Sequence, residues 1–174
     1  MTDSTITKIA ERIKLIAFDN DGVLTDGHVW INRDGVDSKS YDVRDGLGII
    51  MARKAGITIA IITGLKSPIV EKRAQQLGID EVHQGLHDKN DIMKNLLIRY
   101  KLSSEEAAYM GDDIVDIPVF KTVALSAAPA DAHPEVREKA VWVAKNSGGN
   151  GAVRELIDLI MKAQGTSGDF FRDE

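Results

Sequence analysis

The stretch Lys14-Leu15-Ile16-Ala17-Phe18-Asp19-Asn20-Asp21-Gly22-Val23 restricts the fold more than any other part of the chain. An apolar run with no polar face reads as a strand buried on both sides, the condition of a parallel sheet. It breaks off into two acids and a glycine, so carboxylates emerge at the strand's C-terminal edge, where open α/β sheets place their chemistry. With 174 residues, 43% of them hydrophobic, the chain can fill one well-buried core and is short for two.

The rest of the chain repeats the pattern. Residues 57–62, 81–84, 107–110, 123–125 and 141–143 read as strands, and helical stretches separate them. Helices begin after Asp42, at Ser67-Pro68, at Asp88-Lys89 and at Gly151; glycines close two of them, Gly56 and Gly78. Ile92, Leu96, Leu97 and Tyr100 share one helical face, and Ser103-Ser104-Glu105-Glu106 has the capping-box pattern. Strands alternating with helices imply an α/β fold, a doubly wound, mostly parallel, Rossmann-like sheet with helices on both faces. Between Gly22 and Asp45 only a small β-hairpin flap fits: His28 to Ile31, a turn at Asn32-Arg33-Asp34-Gly35, then Val36 onward. There is no room for a cap domain. Residues 1–13 read as an N-terminal extension able to form a short amphipathic helix, 14–164 as a single domain, and 165–174 as a mobile tail carrying Phe170-Phe171.

A net charge of −5 without any basic block argues against a nucleic-acid or anionic-membrane binder. The absence of cysteine excludes disulfides and thiolate-zinc sites and fits a reducing, cytoplasmic setting. No signal-peptide core or span-length apolar run occurs at the N-terminus. His28, His83, His87 and His133 lack ligand spacing and read as surface or loop residues.

Successive strand ends deliver Asp19 and Asp21, then Thr63 and Gly64, then Lys89, then Asp112, Asp113 and Asp116. Each motif alone has an ordinary explanation as a turn or a helix start. Together, and in this order, a doubly wound sheet brings them to one crevice. Several carboxylates cannot all stay ionised side by side without a cation, and an oxygen-only donor set suits Mg2+. A lysine and a threonine beside that metal can hold phosphoryl oxygens. One carboxylate can then attack phosphorus, forming an aspartyl phosphate, while a second serves as acid and base.

This arrangement resembles the haloacid dehalogenase superfamily of phosphatases, from about Lys14 to Gly165. The resemblance implies Asp19 as nucleophile and Asp21 as acid then base. It implies Asp19, the backbone carbonyl of Asp21 and Asp112 as Mg2+ ligands, Asp113 and Asp116 around them, and Thr63 and Lys89 on the phosphoryl oxygens. Further motifs, Asp42-Val43-Arg44-Asp45-Gly46, Gln84-Gly85, Ala130-Asp131-Ala132-His133-Pro134 and Gly148-Gly149-Asn150-Gly151-Ala152-Val153-Arg154-Glu155, are similar to the capless 3-deoxy-D-manno-octulosonate 8-phosphate phosphatases. That likeness implies a sugar-acid phosphate on the route to lipopolysaccharide as substrate. It also implies a homotetramer in which a neighbour closes the site and the C-terminal tail approaches it. Asp42, Val43, Arg44, Asp45, Gly46 and Arg73 then become candidate substrate contacts.

The chain departs from the family pattern at Leu65 and Ile50, where arginines are usual, and at Asn150, which also replaces a common Arg. A sugar acid wants guanidinium forks for its carboxylate. Arg44, Lys66 and Arg73 remain to supply positive charge, and a nine-carbon sugar-acid 9-phosphate is the nearest competing substrate. Two readings of other classes stand beside the phosphatase: a receiver-type phosphoacceptor module and a catalytically silent oligomerisation domain. Receivers end on Thr then Lys, whereas here an acidic cluster follows both.

Overall fold

The structure is a computed structural model that describes residues 3–35, 37–85 and 88–167. Val36 of the expected flap, His87, and the Phe170-Phe171 pair of the expected tail lie outside these residues. Among the described residues, six parallel strands form one sheet in the order β5-β4-β1-β6-β7-β8. They are β1 (Leu15–Phe18), β4 (Thr58–Thr63), β5 (Glu81–Gln84), β6 (Ala107–Met110), β7 (Leu125–Ala128) and β8 (Trp142–Val143). A separate antiparallel pair, β2 (Trp30–Ile31) and β3 (Asp37–Ser38), makes the flap.

The first strand is central because it is apolar throughout and can be covered on both faces. Ile16 and Phe18 enter one core with Ile49 and Ala52 of α2 (Val43–Lys54) and Leu156, Ile157 and Ile160 of α7 (Ala152–Gln164). Leu15 and Ala17 enter the other with Met93 and Leu96 of α4 (Lys89–Tyr100) and Val119 and Phe120 of α5 (Ile117–Phe120). This two-residue alternation is what a strand with helices on both faces requires. The N-terminal helix α1 (Asp3–Ala10) leads into this core through Ala10 and Ile13, and Gln164 Nε2 donates to the carbonyls of both, at 3.2 and 2.7 Å.

Local signals set the helix ends. Ser67 Oγ accepts from Ile69 N ahead of Pro68 at the start of α3 (Pro68–Leu77), Gly78 closes that helix, and Asp88 caps α4. The Ser103–Glu106 capping box forms as the motif implies. Two expectations need correction. The strand assigned to 123–125 lies at Leu125–Ala128, because pairing with β6 and a contact from Val141 N to the buried Ser126 Oγ outweigh the weak strand preference of its alanines. Tyr100 does not face the core: it is 38% exposed, with its hydroxyl on Glu81 Oε1, and Met93 fills the interior instead.

The sheet order reverses at β1, with β4 on one side and β6 on the other. The crevice at this switch point opens at the C-terminal ends of these strands, and only the two-stranded flap stands over the described part of the connection from β1 to α2.

Candidate active site

Asp19 leaves β1 in extended conformation, and residues 20–24 coil into a tight turn behind it. Its Oδ1 accepts from Asn20 N at 2.7 Å and its Oδ2 from Lys89 Nζ at 2.6 Å. Lys89, the first residue of α4, also donates to Asp116 Oδ1 at 2.7 Å. Asp116 is wholly buried and saturated: Tyr109 OH reaches the same Oδ1 at 2.6 Å, and the backbone N–H groups of Asp112 and Asp113 reach Oδ2 at 3.0 and 3.2 Å. Asp116 therefore braces the floor of the site. Asp112 differs, for its Oδ1 is buried with no hydrogen-bond partner.

The electrostatics follow from this crowding. Burial first, then the Asp116 charge, push the Asp19 carboxyl up to about 6 against the pull of Lys89. Burial, then Asp19 and Asp116, push Asp112 up to about 7. Burial lowers the Lys89 ammonium, but Asp19 and Asp116 outweigh it and leave the group raised. Asp19, Asp112 and Asp116 each offer an oxygen within 4.8 Å of the others. Since each Asp116 oxygen already accepts two hydrogen bonds while each Asp19 oxygen accepts one and Asp112 Oδ1 none, Asp19 and Asp112 are the side chains with capacity for a cation. An orphaned buried oxygen, crowded carboxylates and an all-oxygen donor set fit Mg2+. The turn that presents Asp21 needs Gly22, which has φ +83° and whose Cβ, if present, would stand 2.1 Å from Asp112 Oδ2.

A cavity of about 380 Å³ opens over these groups, lined by Asp19, Asp21, Thr63, Lys89, Asp112 and Leu65, with Gly64 and Asp113 beside them. Thr63 is buried at the end of β4, Leu65 is 59% exposed, and Asp113 caps the next turn by accepting from Ile114 N. The other candidate contacts lie elsewhere in the chain's own fold. Asp42 caps α2 and pairs with Arg44, which also donates to Asn150 Oδ1 at 3.1 Å. Asp45 is 2% exposed and accepts from Gly151 N and Arg154 N, so it caps the start of α7. Gly46 packs against Arg73, whose guanidinium lies 5.3 Å from the Tyr41 ring centre and donates to the Asp42 carbonyl. Val43 is exposed on α2, Ile50 packs against the core, and Lys66 lies beside Gly85.

The sequence reading missed two groups from the flap's return: Lys39, paired with Asp21, and Tyr41, whose hydroxyl donates to Asn20 Oδ1 at 3.0 Å. No apolar period in the segment 37–41 marked them in the sequence; their inward alternation with the exposed Ser38 and Ser40 is a product of the fold. The remaining motifs form a belt behind the site. His133 N donates to the Asp112 carbonyl at 2.8 Å, Asp131 Oδ1 accepts from Gly148 N, and Gly149 N donates to the Val23 carbonyl. A Cβ on Gly148 would stand 1.8 Å from the Gly22 carbonyl oxygen, so only glycine lets this strap lie on the turn.

Comparison with known proteins gives the family. The model of the haloacid dehalogenase-like hydrolase family matches residues 79–156. The 3-deoxy-D-manno-octulosonate 8-phosphate phosphatase of Escherichia coli K12 is 45% identical over 156 residues, covering 90% of this chain and 83% of that protein. The Yersinia pestis phosphatase of the same name is 43% identical over 164 residues, 94% of this chain and 87% of its own. A crystal structure of the Moraxella catarrhalis phosphatase, in complex with a magnesium ion, a phosphate ion and the sugar acid, superposes with a TM-score of 0.93 at 36% identity, covering 96% of each chain. On these grounds the chain belongs to the 3-deoxy-D-manno-octulosonate 8-phosphate phosphatase family of haloacid dehalogenase-like hydrolases.

Proposed function

We propose that the protein is a Mg2+-dependent phosphatase that hydrolyses 3-deoxy-D-manno-octulosonate 8-phosphate through an aspartyl-phosphate intermediate. The observation that carries this is the buried Lys89 joining Asp19 to Asp116 at the foot of the cavity, opposite the orphaned oxygen of Asp112. Lys89 and Asn20 N hold the Asp19 carboxylate in one orientation for attack on phosphorus. As the bond from Asp19 to phosphorus forms, the bond to the sugar oxygen breaks, and Asp21 gives that oxygen its proton. Asp21 then takes a proton from water, which attacks the aspartyl phosphate and releases phosphate and free Asp19. Thr63 and Lys89 bind the phosphoryl oxygens through both steps. Bound by Asp19, the Asp21 backbone carbonyl and Asp112, Mg2+ would supply the charge that neutralises those oxygens beside the carboxylates.

The flap supports a homotetramer in which a neighbour closes the site. Trp30 and Ile31 are 68% and 71% exposed, and Val43 stands out on α2, an apolar set that a lone chain would leave in water. Arg44, exposed in one chain, is then a contact available to the assembly. No described helix is long and apolar enough to cross a membrane; the cysteine-free composition supports placing the enzyme in the cytoplasm.

Leu65 keeps a second reading in play, a nine-carbon sugar-acid 9-phosphate, because it lines the cavity where the family usually carries an arginine and so changes the room and contacts offered to the sugar chain. Phosphate release with Mg2+ or EDTA from the octulosonate 8-phosphate, nine-carbon 9-phosphates and hexose phosphates separates the two. Preference for the octulosonate supports the first reading, preference for a nine-carbon acid the second, and no Mg2+-dependent release from any of them overturns both.

A further inference from the structure

The two carboxylates of the first motif are held in different ways. Asp19 has Lys89, from a helix of the main fold, whereas Asp21 has Lys39, from the flap. The Lys39 side chain is 2% exposed, so its ammonium has left water and is paired at the Asp21 Oδ1. Asn20 Nδ2 donates to that same oxygen at 3.0 Å, and Tyr41 OH fixes the Asn20 amide from its other end.

These contacts come from one run of backbone. Asp37, Lys39 and Tyr41 turn toward the body of the protein, while Ser38 and Ser40 are exposed, the two-residue period of an extended strand. Ser67 Oγ reaches Asp37, and Tyr41 bridges to Thr25 at the end of the catalytic turn. The returning segment of the flap is thus tied to the turn that carries Asp21. Both side-chain contacts engage Oδ1 and neither engages Oδ2, on a residue that lines the cavity.

We propose that Lys39 is a positioning residue for Asp21, through which the flap sets the orientation of the acid–base carboxyl. The proposal rests on the reading of Asp21 as acid and base given above. A lysine that binds the substrate would affect KM; one that aims Asp21 affects the step in which the leaving oxygen needs a proton.

The test uses the full chain with Mg2+, as wild type, Lys39→Met and Lys39→Arg, with light scattering to compare their assembly. Phosphate release is measured from the octulosonate 8-phosphate and from aryl phosphates of rising leaving-group acidity. For Lys39→Met we expect kcat to fall about tenfold or more with KM within about threefold, since misaimed general acids lose rate rather than affinity. The deficit should shrink toward p-nitrophenyl phosphate, whose leaving group departs without a proton, and Lys39→Arg should recover much of the loss. A deficit equal across all leaving groups, a rise in KM alone, or no change in Lys39→Met would overturn the proposal. If the wild type itself releases no phosphate, the functional reading fails, and the assignment to Lys39 falls with it.

Discussion

The two edges of the sheet each carry a cleft, and the larger is not the one with the chemistry. At the N-terminal edge a cleft of about 640 Å³ opens between Arg12, Lys14, Gly56, Glu105 and Glu106. Its acids are paired or in water: Arg12 pairs with Glu105, Lys14 with Glu106 at 2.7 Å, and Glu11 is exposed to solvent. Lys14, with the N–H and hydroxyl of Ser103, holds the Glu106 carboxyl down at about 2. At the C-terminal edge the cavity is about 380 Å³, and its acids Asp19, Asp21, Asp112 and Asp113 outnumber the two lysines that reach them, Lys89 and Lys39, so Asp19 and Asp112 are pushed up instead. A cleft whose charges are already satisfied has nothing to offer a ligand; crowded carboxylates are stable only with a partner. Cavity size is the weaker guide.

The strongest way to break this contrast is Asp19→Asn. Phosphate release should fall by about 10³-fold or more, while the circular dichroism spectrum stays that of the folded protein. Near-normal turnover in that variant would remove Asp19 from the mechanism. Removing the metal comes next. Chelation should abolish turnover, and Mg2+ at about a hundred times its Kd should stabilise the fold by about 2.7 kcal/mol, read as a rise in Tm. Asp112→Asn should cut that rise, whereas Glu106→Gln at the other edge should leave it intact.

The metal-free protein sharpens the same point through pH. Asp19 and Asp112 have folded-state pKa values raised from 3.8 to about 6 and about 7, so the native state holds protons that the unfolded chain has released. In EDTA, stability should therefore fall as pH rises through that window, and Mg2+ should flatten the slope. A metal-independent slope would mean the crowding is not relieved by a cation. Asp45→Ala tests a carboxylate outside both clefts. It should cost about 1–3 kcal/mol in urea unfolding, because it uncaps α7, with turnover at 25 °C altered far less than by Asp19→Asn. The smallest effect belongs to the satisfied edge. Glu106 is depressed, so its contribution is present above its unfolded value of 4.5 and lost as pH falls through about 2. Glu106→Gln should remove that acid-side dependence, with a Tm change at pH 7 of at most about 2 °C for so exposed a pair.

What the sequence made legible were residues placed by topology alone. Asp19 and Asp112 lie just past apolar strands, Thr63 ends one, and Lys89 opens a helix, so the order of strands suffices to gather them. Lys39 and Tyr41 were not legible, because the segment 37–41 has no apolar period and acquires its inward face only by folding back on the catalytic turn. Asp45 reads as part of a substrate motif, yet in this chain it caps a helix 106 residues away. The glycines at 148 and 149 stand out in the sequence, but what they make room for is a backbone carbonyl at the other end of the chain.

That last contact bears on how the protein is made. The turn with Asp19 and Asp21 precedes in the chain its two flanking strands, Thr58–Thr63 and Ala107–Met110, and the glycine strap at its back comes later still. A nascent chain that has not reached Gly148 holds every side chain proposed for catalysis but lacks the strap behind the turn. The turn is thus locked from behind by a segment translated after all the residues it helps to hold.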